Sequence, residues 1–187
     1  DILKDSINKF NDPKTGWRLC INEIYQMSQF DVFYRRGIEL FSRVSEIKTL
    51  NAPEKRDTQE FFEPVEKVIT HNFKKFSSFH LNPTLGLFPI KADADLICDD
   101  ILYDIKCVKE PRKHFKDTYF QLLAYVSLIE ARKSLLNSKN ALGLPKNIMK
   151  IGIIFPQHLA ITEIDISDWN SEDKMSYLKK LESVQAG

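Results

Sequence analysis

Residues 92–107, Ala92-Asp93-Ala94-Asp95-Leu96-Ile97-Cys98-Asp99-Asp100-Ile101-Leu102-Tyr103-Asp104-Ile105-Lys106-Cys107, hold two runs rich in Ile, Leu and Tyr on either side of a pair of aspartates. Asp tolerates the positive φ angles of a two-residue hairpin turn, so the pattern predicts a β-hairpin turning at Asp99-Asp100. If Cys98 faces Ile101, Asp95 lies opposite Asp104 and Asp93 opposite Lys106. Side chains alternate along a strand, which puts all four on one face. Three carboxylates and an amine then share a small patch.

Like charges on directly opposed residues repel, because their Cβ atoms are only ~4.5–5.5 Å apart. A divalent cation is the simplest remedy. Mg²⁺ suits one or two carboxylates on neighbouring strands, since it takes hard oxygen ligands, keeps several waters and also binds phosphate. A lysine beside such an ion is placed to orient an attacking water or to stabilise charge developing on a phosphate.

Asp95 followed by Asp104-Ile105-Lys106 resembles the Asp…(Asp/Glu)-x-Lys signature of the PD-(D/E)XK nuclease superfamily. Gln121-Leu122-Leu123-Ala124-Tyr125 is similar to the Gln-x-x-x-Tyr motif of its RecB-like and lambda-exonuclease-like branch. Leu81-Asn82-Pro83-Thr84 with Ala92-Asp93-Ala94-Asp95-Leu96-Ile97 also resembles uncharacterised prokaryotic members, so the likeness spans residues 60–166. It implies a deoxyribonuclease using Mg²⁺ (or Mn²⁺), of exonuclease or end-processing type, with DNA versus RNA left open. Asp95 and Asp104 would hold the metal, Ile105 would lend its carbonyl, and Lys106 would assist the water. Gln121 and Tyr125 would support the site or touch the nucleic-acid backbone. The family's Pro-Asp is absent, and Asp93 and Asp95 compete for its place. Asp95 is preferred because it faces Asp104 and precedes an apolar pair, leaving Asp93 to neutralise Lys106.

The chain has 187 residues, 43% hydrophobic and 28% charged, which describes one globular domain, with or without helical decoration. A net charge of +1 gives no general polyanion-binding signature, so nucleic-acid contact requires a local basic patch or a partner domain or subunit. Lys109, Arg112 and Lys113, in the connector after the hairpin, are the candidate patch for substrate phosphates. The three cysteines match no zinc or disulfide spacing and point to a reducing, cytoplasmic setting. Iron–sulfur members of the branch use four cysteines, so no such cluster is expected. No apolar run reaches the ~20 residues of a membrane span. No signal peptide is visible, and a first residue other than Met reads as a trimmed chain or a fragment.

Before the hairpin, periodicity predicts helices over residues 2–10, 17–36 and 38–50, then a polar linker over 51–57. A helix over 58–76 follows, with Pro64 marking its first turn and Glu66 at the edge of its apolar stripe. Nucleases of the branch often add an acidic ligand from this helix, which makes Glu66 a candidate third metal ligand. A strand is expected over 85–91, then the hairpin, a helix over 115–136, strands over 148–155 and 159–166, and a helix over 171–184. The acids of the last strand, Glu163 and Asp165, read as solvent-facing edge charges.

The order helix, strand, hairpin, helix, strand, strand implies a mixed sheet with helices on both faces, an α/β class. It also matches the αβββαβ core of the superfamily. The expectation is a restriction-endonuclease-like α/β/α sandwich with a mixed central sheet over residues 57–187, preceded by N-terminal helical decoration over 1–56. The alternative is a catalytically inactive nucleic-acid-binding or protein-interaction module on the same fold.

Overall fold

A computed structural model describes residues 17–35, 46–85, 92–136, 144–145 and 147–185. The helix expected over 2–10, most of the one expected over 38–50 and nearly all of the strand expected over 85–91 lie outside the described residues. The chain divides into two compact units, residues 1–66 and 67–187.

In the first unit a 3-10 turn, Trp17–Leu19, precedes helix α1 (Ile21–Arg35). Helix α2 (Ala52–Phe73) starts in this unit and crosses into the second. Residues 51–57 are therefore not a linker. Asn51 Oδ1 accepts the Glu54 N–H at 2.9 Å while Glu54 Oε2 accepts the Asn51 N–H at 2.8 Å, a reciprocal capping box that starts α2 six residues ahead of the expected Thr58. Pro53 sits in the first turn, where a missing N–H removes no helical bond. Pro64 lies inside the helix rather than at its start.

The second unit is built on a mixed five-stranded sheet. Its strands are β1 (Phe79–Leu81), β2 (Leu96–Cys98), β3 (Ile101–Ile105), β4 (Lys150–Phe155) and β5 (Ala160–Asp165), in that spatial order. Neighbours run antiparallel except β3 and β4, which are parallel and joined through helix α3 (Pro111–Leu136). Helix α4 (Ser171–Gln185) closes the element order, giving four α-helices among the described residues.

Alternation along the strands divides the apolar side chains between two faces. Ile97, Leu102, Ile151, Ile153 and Phe155 pack with Leu122, Val126 and Ile129 of α3. Leu96, Cys98, Ile101, Tyr103 and Ile154 pack on the other face with Ile69 and Phe73 from the end of α2. Leu178 and Met175 of α4 close on Leu128 and Ala131 of α3. The sheet is thus covered on both sides, as its two-sided apolar strands require.

The hairpin forms in the predicted register, with Cys98 opposite Ile101 and Leu96 opposite Tyr103. Asp99 takes the positive φ, 48°, that the tight turn demands. Its carboxylate accepts from the N–H groups of Ser77 and Ser78, at 3.1 and 2.8 Å, and from both hydroxyls, at 2.8 and 2.9 Å. Phe79–Leu81, for which no strand was expected, pairs along the side of β2 away from β3.

Those bonds, from Ser77 first, hold the Asp99 carboxyl below its ordinary value of 3.8. A depressed pKa contributes stability that is present above the unfolded value and lost as pH falls through the folded one. Asp99→Asn is expected to flatten the acid limb of the unfolding-versus-pH curve below about pH 4, in the carboxylate range. An acid limb identical to wild type would contradict the clamp.

Glu163 and Asp165 are exposed on the edge strand, as expected, but Glu163 also has cross-strand partners. It accepts the Tyr103 hydroxyl proton at 2.5 Å and lies 3.7 Å from Lys150 Nζ, so it fastens β5 across β4 to β3. The three cysteines are free thiols, and burial, followed by the Asp99 charge, pushes Cys98 up to about 12. No described helix is long and apolar enough to cross a membrane.

Candidate active site

Asp104 occupies β3 between Tyr103 and Ile105, on the face that carries Leu102 toward α3. It is only 3% exposed. Lys106, just past the strand, is fixed through its backbone: its N–H donates to the Ile154 carbonyl of β4 at 2.9 Å. Its side chain returns to the same face, placing Nζ 2.9 Å from Asp104 Oδ2. The Lys106 ammonium is the partner this buried oxygen has among the described residues. Such an oxygen is costly in a low-dielectric setting unless a cation occupies its field.

Asp95 approaches from the neighbouring strand. It lies in a bend before β2, and its Oδ2 accepts the Ile105 N–H at 2.7 Å, replacing a ladder bond at the end of the hairpin. Lys106 uses its N–H toward β4, so the peptide groups of Ile105 point the other way, and its carbonyl shares the Asp95 side of β3. Burial first, and then the charge of Asp95, raise the Asp104 pKa against the lowering effect of Lys106. The two carboxylates therefore feel each other.

The bend overturns the expected role of Asp93. A regular strand would have put Asp93, Asp95, Asp104 and Lys106 on one face. Instead the alternation shifts phase at Asp95, so Ala94, only 1% exposed, joins the same core cluster as Ile97. Asp93 is exposed and pairs by backbone with Thr84. Lys106 is neutralised by Asp104, and no ion pair joins it to Asp93 among the described residues.

Helix α3 supplies the far side. Gln121 and Tyr125, one turn apart, face the sheet and bond each other, Gln121 Nε2 donating to the Tyr125 hydroxyl at 2.6 Å. Gln121 Oε1 in turn lies 3.4 Å from Lys106 Nζ. A continuous polar chain thus runs Asp104, Lys106, Gln121, Tyr125. The Lys106–Gln121 contact is the link that spacing along the sequence did not provide.

The remaining candidates are placed as follows. Glu66 belongs to the first unit, where it lies 2.9 Å from Arg18 as an ion-pair partner. Lys109 stands in the exposed segment after β3. Arg112 and Lys113 are not in a connector: α3 begins at Pro111, and both lie in its exposed first turn. Lys113 pairs with Glu110 at 2.7 Å, an exposed pair worth at most about 1 kcal/mol.

Among the described residues no group of three or more His, Cys, Asp or Glu side chains is clustered for a metal. Two carboxylates and a strand carbonyl are a smaller set, yet they fit Mg²⁺, which completes its shell with water and phosphate. A cleft of about 390 Å³ lined by Tyr119, Leu123, Asp165, Ile166, Asp168 and Trp169 includes none of these residues. Comparison with protein-family models, curated proteins and solved structures returns no match.

Proposed function

We propose that the chain is a metal-dependent nuclease that hydrolyses DNA phosphodiester bonds, with the Asp95, Asp104 and Lys106 cluster as its active centre. The observation that carries this reading is the buried Asp104 carboxylate, 2.9 Å from the Lys106 ammonium and within the field of Asp95. The order α2, β1, β2, β3, α3, β4 supports it, since it is the αβββαβ arrangement of the superfamily that the motifs resemble.

Asp95, Asp104 and the Ile105 carbonyl would hold Mg²⁺ or Mn²⁺. When bound, the metal lowers the pKa of water and neutralises charge on the scissile phosphate. Lys106 has three N–H donors and one well-anchored backbone. Its Nζ orients the attacking water and bonds a phosphate oxygen as negative charge grows there. Gln121, gripped by Tyr125, fixes the direction in which that ammonium points. Lys109 and Arg112, which make no ion pair among the described residues, and the first turn of α3 offer cationic contact for neighbouring phosphates.

A non-cleaving nucleic-acid-binding module is the second reading, favoured by the absence of a third clustered acid among the described residues. Incubating the chain with single- and double-stranded DNA and with RNA, in Mg²⁺, Mn²⁺ or chelator, separates the two. Metal-dependent fragments are expected, with Lys106→Ala slower by about 100-fold or more. Binding without fragments under every metal, or undiminished cleavage by the Lys106→Ala protein, would overturn the nuclease reading.

A further inference from the structure

We propose that the Lys106 ammonium is the resident counter-cation of this site, and that a divalent cation arriving at Asp104 displaces it onto Gln121. The proposal rests on the reading that Asp104 holds the metal.

The ammonium stands between two berths and touches both at once, nearer the first. Nζ lies 2.9 Å from Asp104 Oδ2 and 3.4 Å from Gln121 Oε1. The second berth is preformed: Gln121 spends its amide N–H on the Tyr125 hydroxyl at 2.6 Å, which leaves the carbonyl end toward the lysine. Mobility is unequal as well. Asp104 is held within β3 with its side chain 4% exposed, whereas the Lys106 side chain is 28% exposed on a flexible stem. A metal and an ammonium at one carboxylate oxygen repel each other, and the lysine is the partner free to move.

The exchange has a consequence for function. Without metal, Lys106 offsets the buried carboxylate and keeps the site folded. With metal, the same charge is released toward a neutral acceptor, where its N–H groups face incoming water and phosphate. Gln121 and Tyr125 are then positioning residues, acting through Lys106. Linkage makes the competition mutual: whatever the ammonium loses to the metal, the metal loses to the ammonium.

Mn²⁺ titration of the full chain without nucleic acid, followed by electron paramagnetic resonance, tests this without reference to cleavage. Lys106→Met is expected to bind Mn²⁺ about tenfold more tightly than wild type, because the competing cation is gone. Gln121→Ala is expected to bind it about two- to tenfold more weakly, because the displaced ammonium has lost its acceptor. Equal or weaker binding by Lys106→Met would overturn the displacement, and unchanged binding by Gln121→Ala would overturn Gln121 as the destination. Should the Met variant fail to fold, Lys106→Gln removes the charge but keeps a donor for Asp104 and is expected to shift affinity in the same direction. Asp104→Asn separates the two layers. Loss of Mn²⁺ binding in that variant upholds the underlying reading, whereas wild-type binding would overturn that reading itself.

Discussion

Asp104→Asn is expected to abolish metal-dependent cleavage, by more than about 100-fold, while raising the thermal midpoint of the protein at pH 7.5. The two effects share one cause. Asp104 is 3% exposed, and burial together with the Asp95 charge outweighs the Lys106 ion pair, so its folded pKa stands above the ordinary carboxylate value. A group whose folded pKa is raised contributes stability that is complete below its unfolded pKa and is lost as pH rises through the folded one. At neutral pH the ionised carboxylate is therefore a net cost to the fold. An isosteric amide removes that cost. Lys106, 28% exposed at its side chain, can turn toward water when its partner becomes neutral. The stability gap between variant and wild type should narrow as pH falls toward the carboxylate range, where Asp104 is protonated in both states. A lower midpoint for Asp104→Asn at pH 7.5, or a gap that widens in acid, would contradict the net destabilisation of that charge.

Gly152→Ala is expected to destabilise the second unit by about 1–3 kcal/mol, the usual cost of forcing extra atoms into a packed core. A β-carbon on Gly152 would lie 2.5 Å from both Cδ1 and Cε1 of Tyr103 and 3.0 Å from the Thr162 carbonyl oxygen. The ring cannot step aside. Tyr103 is 1% exposed, its hydroxyl is fastened to Glu163, and Phe73 and Phe76 stand 5.1 and 6.4 Å from it. In a chain of this size each kcal/mol lowers the midpoint by about 2–4 °C. Tyr103→Leu removes the obstructing ring atoms, so the double variant should lose less than the sum of the two single losses. An unchanged midpoint for Gly152→Ala would mean that β4 and Tyr103 do not pack as closely as described.

Strong local signals carried most of the fold. The paired aspartates between two apolar runs fixed the hairpin and its register, and the elements over residues 150–155, 160–165 and 171–185 lie within two residues of their expected bounds. The misses trace to contacts that composition does not announce. Polar residues with a proline at 51–57 look like a linker until Asn51 and Glu54 are seen to cap each other. Glu163 is the exposed edge charge that alternation implies, but its bond from Tyr103, 60 positions away, left no local mark. Gly152 within an apolar strand did carry a signal of close approach, though not of which ring fills the space.

The candidate site shows the same division. That Asp104 and Lys106 share a face was legible, because side chains alternate along a strand. Asp93 was misplaced because one bend at Asp95 resets that alternation, and Ala94 takes the inward position instead. The helical spacing of Gln121 and Tyr125 placed them together, but only the crossover from β3 through α3 brings Gln121 to Lys106.

Crystals soaked with Mn²⁺ and recorded for anomalous scattering provide the most direct test. A peak bonded to Asp95 and Asp104, with the Ile105 carbonyl in its shell and Lys106 Nζ withdrawn from Asp104, is the predicted result. Full Mn²⁺ occupancy elsewhere on the chain, with the Asp104–Lys106 pair intact and no peak between the two aspartates, would contradict a cation held there.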